Sequence, residues 1–217
     1  APWDLSTAAL MFIASVMVMF VAGIDMKYLG VLVGVAMIGL VVLVGTAERS
    51  ATWESRWGDY IKRMTQQGYD GDFQTEQSHI AIASGGFAGN GVGKSSARNF
   101  LPNANADFVY AIIIEEYGLL GGILMLGLYL LILFRSVSII TVSKTFGALL
   151  AAGLSFLLVL QAMMHMGVTV GLLPNTGLTL PFVSTGGTSI LLSAVSVGIF
   201  LSVSRVAMER GETKQAK

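Results

Sequence analysis

The sequence predicts an all-α integral membrane protein with five transmembrane helices and one large loop. Two properties of the whole chain and one of its patterning point there. Of its 217 residues, 54% are hydrophobic and only 12% are charged, with a mean hydropathy of +0.72; a soluble domain carries about 25% charged residues. The apolar residues fall into five runs, each near the roughly 20 residues a helix needs to cross about 30 Å of hydrocarbon. One polar stretch, Thr46 to Asp107, interrupts them and holds seven of the thirteen acidic residues.

The first span runs from Leu5 to Ala22, and a short polar turn, Gly23 to Lys27, separates it from the second, Tyr28 to Gly45. After the large loop come Phe108 to Phe134, long enough to tilt or project, then Phe146 to Leu172 and Thr188 to Val203. None alternates with period two, so none reads as a strand. The expected units are residues 1–45 (two helices), 46–107 (loop), 108–204 (three helices) and a tail, 205–217. The chain opens Ala1-Pro2-Trp3 and enters an apolar run at once, which reads as a piece of a longer polypeptide.

Charge assigns the sides. Lys27, Arg135, Lys144, Arg205, Arg210, Lys214 and Lys217 fall on one face, and a Lys/Arg excess in short connections marks the cytoplasm. The loop, whose six basic residues are outnumbered by seven acids, is therefore expected outside it. A net charge of zero gives no sign of nucleic-acid binding. With no Cys there is neither a disulfide framework nor a thiolate metal site, and with only two His a zinc site is not expected.

Three characters succeed one another in the loop. Thr46 to Gly71 mixes charge with aromatics (Trp53, Arg56, Trp57, Tyr60, Arg63, Tyr69), the composition of a membrane-water interface. Phe73 to Ser84 reads as a short helix dipping into the membrane surface. Gly85, Gly86, Gly89, Gly91 and Gly93 then make a backbone that other groups can approach closely. Ala88 to Ser95, AGNGVGKS, fits a relaxed phosphate-loop pattern, but that motif needs a strand before it and a helix after it, and a helical membrane chain offers no such unit. Backbone N–H groups beside Lys94 and Arg98 would suit another phosphate, including a lipid pyrophosphate; the alternative is a solvated charge cluster.

Longer patterns carry a resemblance that periodicity does not. LPNANADF, Leu101 to Phe108, followed by EEYGLLG, Glu115 to Gly121, looks like the "LPE-x-H-T-D-F … EE-x-G-x-x-G" signature of the SEDS (shape, elongation, division, sporulation) family. PNTGLTLPFVSTGGTS, Pro174 to Ser189, which contains Ser184, resembles that family's C-terminal "LP-x-x-G-x-x-LP-x-x-S-x-GG-(S/T)-S" segment. Pro2 to Thr7 and Gln74 to Ser78 match its "PDLGT" and "YQ-x-x-QS". The GLTLP run points to the cell-division branch over the elongation branch. The resemblance covers essentially the whole chain but only the C-terminal half of a ten-helix protein, so the five spans would be helices six to ten.

The resemblance implies a peptidoglycan glycosyltransferase of the bacterial inner membrane, at the division septum, that polymerises lipid II. Its implied partners are lipid II and the growing glycan strand, a class B penicillin-binding protein (a transpeptidase), other division proteins and membrane lipid. A lipid II flippase and a non-catalytic division scaffold are the alternatives. The chemistry asks for a carboxylate that takes the proton of an attacking sugar hydroxyl, and for cations, Arg/Lys or a divalent ion such as Mg or Mn, on the departing pyrophosphate. In the family the key Asp lies ten residues before the Gln of "QS". Ungapped counting from Gln77 lands on Gln67, which is no base, so a small local gap would put Asp70, or else Asp72, in that slot; Asp70 is preferred.

Asn103, Asn105 and Ala106 replace the family's Glu, His and Thr before "DF", whereas Asp107, Glu115 and Glu116 remain. Carboxylates at membrane depth are costly and mark functional sites by default; the alternatives are that Asp107 caps the third helix and that the glutamates pair with neighbouring polar groups. The expected site therefore comprises Asp70 or Asp72 as base, with Lys94, Arg98, Asp107, Glu115, Glu116 and Ser184 toward substrate. Asp4 either faces the same cavity or answers a helix N-terminus. His165 reads as a buried packing histidine. The Pro174–Gly187 stretch should break regular helix, which is tolerable only where backbone is buried in protein or lines a wet cavity.

Overall fold

The computed structural model describes residues 5–46, 58, 60–62, 65, 73–100, 104–142 and 146–215. Among them every regular element is helical: α1 (Leu5–Ala22), α2 (Met26–Thr46), α3 (Phe73–Gly85), α4 (Ala97–Phe100), α5 (Ala104–Asp107), α6 (Val109–Val142), α7 (Phe146–Thr169) and α8 (Gly187–Gln215). Three stretches, Val109–Ile139, Phe146–Thr169 and Gly187–Val206, are long and apolar enough to cross a membrane. The apolar helices α1 and α2 have 18 and 21 residues, about 27 and 32 Å at 1.5 Å per residue. The chain is a multi-pass membrane protein.

Helix α7 is the centre of the bundle, contacted by α1, α6 and α8. It presents small residues, Ala148, Ala151, Ala152, Ser155 and Ala162, all buried, and small side chains let helices approach closely where lipid supplies no hydrophobic drive. Phe156 and Ala152 meet Val18, Val21 and Leu133 from α1 and α6, while Ala148 and Ala151 meet Ile139 and Phe200 from α6 and α8. At the other end Ala162 and Met166 pack on Val109, Tyr110 and Ile114. The first turns of α6 thus lie beside the last turns of α7. Helix α2 contacts α1, and nearly all of its described side chains are exposed.

Three boundaries differ from the sequence reading by three residues or more. Helix α7 stops at Thr169 rather than Leu172 because Gly171 N donates to Val168 O (3.0 Å) and Leu172 N to Gly167 O (2.8 Å), the paired capping bonds that close a helix. Helix α6 passes Phe134 and continues to Val142, and α8 passes Val203 and continues to Gln215. Hydropathy locates where an apolar run meets charge, and a helix does not have to end there.

Candidate functional site

The polar end of the bundle is built on a break in α6. At Gly118 the backbone leaves helical geometry (φ 74°, ψ −173°). That break withholds the usual intrahelical donors from the carbonyls of Glu115 and Glu116. The glycine loop after α3 fills the gap: Asn90 N donates to Glu115 O (2.9 Å), Gly91 N to Glu116 O (3.1 Å), and Leu119 N returns a bond to Gly86 O (2.9 Å). Loop backbone at this depth is tolerable because its polar groups are satisfied within protein. So close an approach leaves no room for side chains. A Cβ on Gly89 would lie 2.2 Å from Glu116 O, and one on Gly118 would lie 2.2 Å from Phe87 O.

These bonds revise the phosphate-nest expectation. The amides of Gly89, Asn90 and Gly91 are committed to Gly85 O, Glu115 O and Glu116 O, and the preceding element is the helix α3, not a strand. The next amides along the chain do surround an anion, and that anion is Glu115. Its Oε2 accepts from Ser95 Oγ (2.5 Å) and Ala97 N (3.3 Å), and its Oε1 from Ser96 Oγ (2.7 Å) and Ser96 N (3.0 Å). Glu115 is 1% exposed. Lys94 and Arg98 flank this turn and are exposed, while Glu116 is half-buried.

A second unit comes from the helix-breaking stretch between α7 and α8, held by side chains of the long helices. Tyr129 Oη donates to Pro181 O (2.5 Å) and Gln161 Nε2 to Thr179 O (2.8 Å). His165 Nδ1 lies 2.7 Å from Leu178 O; a carbonyl only accepts, so Nδ1 carries the proton, and the buried Nε2 has no partner among the described residues. Ser184 accepts from Leu180 N (2.8 Å) and donates to Ala106 O (2.7 Å), tying this segment to the residue before Asp107. Tyr60 Oη reaches Leu172 O (2.8 Å), so the aromatic part of the loop touches the same end.

Asp107 closes α5 beside that tie and is half-buried. Burial pushes its carboxyl above its ordinary value of 3.8, since desolvation penalises the charged form. The folded state therefore holds this proton more tightly than the unfolded chain, and stability falls as pH rises from 3.8 through the raised value. Asp107→Asn should flatten that fall, read as the thermal midpoint across the acid range; an unchanged slope would contradict the assignment.

The structure thus brings Lys94, Arg98 and Glu115 into one cluster and Asp107 and Ser184 into another, both at the end where α6 begins and α7 stops. Asp70 and Asp72, with Asp4, lie outside the described residues. Ser95, Ser96, Gly118, Tyr129 and Gln161 were not singled out from sequence; a serine pair just before a short helix, in a chain with costly carboxylates to satisfy, is the signal that would have found the first two. Among the described residues no three His, Asp or Glu side chains converge.

Known proteins decide what this arrangement belongs to. The family model of the cell cycle proteins FtsW, RodA and SpoVE matches residues 1–209. The chain belongs to this family. Among its relatives, a probable peptidoglycan glycosyltransferase FtsW of Geobacter sp. (strain M18) is 35% identical over 94% of this chain and 55% of its own length. Stage V sporulation protein E of Bacillus subtilis (strain 168) is 35% identical over 93% and 55%. The chain spans about half the length of these curated relatives. A solved structure described as a peptidoglycan synthase complex that coordinates polymerization and crosslinking matches with a TM-score of 0.64 at 24% identity, over 94% of this chain and 56% of that one; it shares the family's helical fold.

Proposed function

We propose that the chain is the C-terminal half of a septal peptidoglycan glycosyltransferase that polymerises lipid II. The observation that supports this best is the polar assembly at one end of an apolar bundle, in a member of a family whose relatives include probable peptidoglycan glycosyltransferases. Irregular backbone at membrane depth is kept only where it is buried in protein or lines a water-filled cavity. The loop of residues 46–107 lies on the extracytoplasmic face of the inner membrane, at the division septum, and a class B penicillin-binding protein and other division proteins bind the full-length protein.

In the reaction a sugar hydroxyl of one substrate attacks the anomeric carbon of the other. The glycosidic bond forms as the bond from that carbon to the pyrophosphate oxygen breaks. Asp70, or Asp72, takes the hydroxyl proton, and the lipid pyrophosphate departs with the bonding electrons. Its charge is met by Lys94 and Arg98, which stand exposed on either side of the Ser95–Ala97 turn. A magnesium or manganese ion would share that charge, needing only one or two protein carboxylates beside the phosphate oxygens. In the full-length protein with its transpeptidase, Lys94→Ala/Arg98→Ala should raise KM for lipid II about tenfold or more, because charge-assisted bonds to phosphate are the strong ones. An unchanged KM would remove these cations from the site.

A further inference from the structure

We propose that Glu115 is a positioning residue: its buried carboxylate is the internal anion around which the loop closes, and it fixes Lys94 and Arg98 against the break in α6. This deepens the glycosyltransferase reading and rests on it for the role of the two cations.

The loop is held from two sides by one residue. The backbone carbonyl of Glu115 accepts Asn90 N, while its side chain accepts Ser95 Oγ, Ser96 N, Ser96 Oγ and Ala97 N. Residues 90–97 therefore form a span pinned at both ends to a single turn of α6. Within it Lys94 N donates to Gly91 O (3.2 Å), which sets Lys94 in a turn between the pins, and Arg98 follows directly after the second. Arg98 N adds a bond to Ser95 Oγ (3.4 Å). Two exposed cationic residues thus leave from a backbone held by these bonds.

Only an ionised carboxylate suits this arrangement. All four close partners point donors, or hydroxyls able to donate, at the two oxygens, and a carboxylate is the side chain that accepts at every position. At 1% exposure Glu115 has no open face for substrate, so it acts through the loop and does not touch the reacting atoms. Glu115→Gln keeps the size but turns an NH2 toward backbone donors, and Glu115→Asp is one methylene short of the turn.

The test is a mutant cycle in the full-length protein with its cognate transpeptidase, on lipid II, paired with amide hydrogen exchange. Glu115→Gln should raise KM about tenfold with kcat changed less. It should add less than about twofold once Lys94→Ala/Arg98→Ala is present, since residues acting in one chain are not additive. The amides of Ser96 and Ala97 should exchange faster. An effect that multiplies in full across the two backgrounds, or unchanged exchange at Ser96 and Ala97, overturns the proposal. Should Glu115→Gln fail to fold, Ser96→Ala carries the same cycle with the carboxylate intact. Should the wild type make no glycan, the glycosyltransferase reading fails, and the exchange measurement still decides the clamp.

Discussion

Alanine at Gly118 or Gly89 should collapse the polar end of the bundle and lower stability by about 3 kcal/mol or more. A Cβ on Gly118 would stand 2.2 Å from Phe87 O and 2.6 Å from Gly89 N; one on Gly89 would stand 2.2 Å from Glu116 O and 2.6 Å from Gly118 N. The obstacles are backbone atoms on both sides, so no rotamer change relieves them. Gly118 adds a φ of 74° with ψ of −173°, a region essentially reserved for glycine. Separating the glycine loop from α6 would leave the carbonyls of Glu115, Glu116 and Gly86 without the donors Asn90, Gly91 and Leu119, and an unsatisfied group at membrane depth costs several kcal/mol. The measurement is the thermal midpoint of the purified full-length protein in detergent. Gly34→Ala in α2 is the control, because nothing lies within 4 Å of its added Cβ; its midpoint should hold or rise slightly.

Removing the proposed base should give the second large effect, on rate instead of stability. Asp70→Ala should lower kcat for lipid II polymerisation by about a hundredfold or more, the usual share of a general base, with the thermal midpoint and KM held. A sugar hydroxyl is a weak nucleophile at neutral pH, and among the described residues the half-buried carboxylates beside the two clusters are those of Asp107 and Glu116. Asp72→Ala should cost much less. If Asp72→Ala abolishes activity and Asp70→Ala does not, the local gap in the family pattern lies elsewhere and Asp72 is the base. If both retain activity, Asp107 and Glu116 become the candidates, and with Asp107 as base its raised proton affinity would shape the pH-rate profile.

Much of the fold was legible because apolar runs of membrane length leave few alternatives. Helix α1 has the bounds read from sequence, Leu5–Ala22, and α7 starts at Phe146 as expected. The helix at Phe73–Gly85 and the irregular stretch around Pro174–Gly187 were also readable, from a moderately apolar pattern and from Pro and Gly respectively. The break at Gly118 was not. Gly118, Gly121 and Gly122 sit in an apolar run, where glycine is common at helix interfaces, and nothing local distinguishes the one that leaves helical geometry.

The same limit applied to the site. Glu115 was flagged because a carboxylate at membrane depth needs a reason, but its partners lie 18 to 20 residues earlier in the chain. That pairing exists only once α6 breaks and the glycine loop returns to it. From sequence the glycine run suits either a nest for an outside phosphate or a solvated charge cluster; its first amides instead complete α6, and the amides after it hold the protein's own anion. Ser184 was read as facing substrate, and its hydroxyl is engaged by Leu180 N and Ala106 O.

The most direct test of the central claim places the full-length protein and its cognate transpeptidase in liposomes with labelled lipid II, and follows both glycan formation and movement of the label between leaflets. The wild type should form glycan strands, and Asp70→Ala should form none. Transfer of label across the bilayer with no glycan from the wild type would contradict it and make this bundle a lipid transporter.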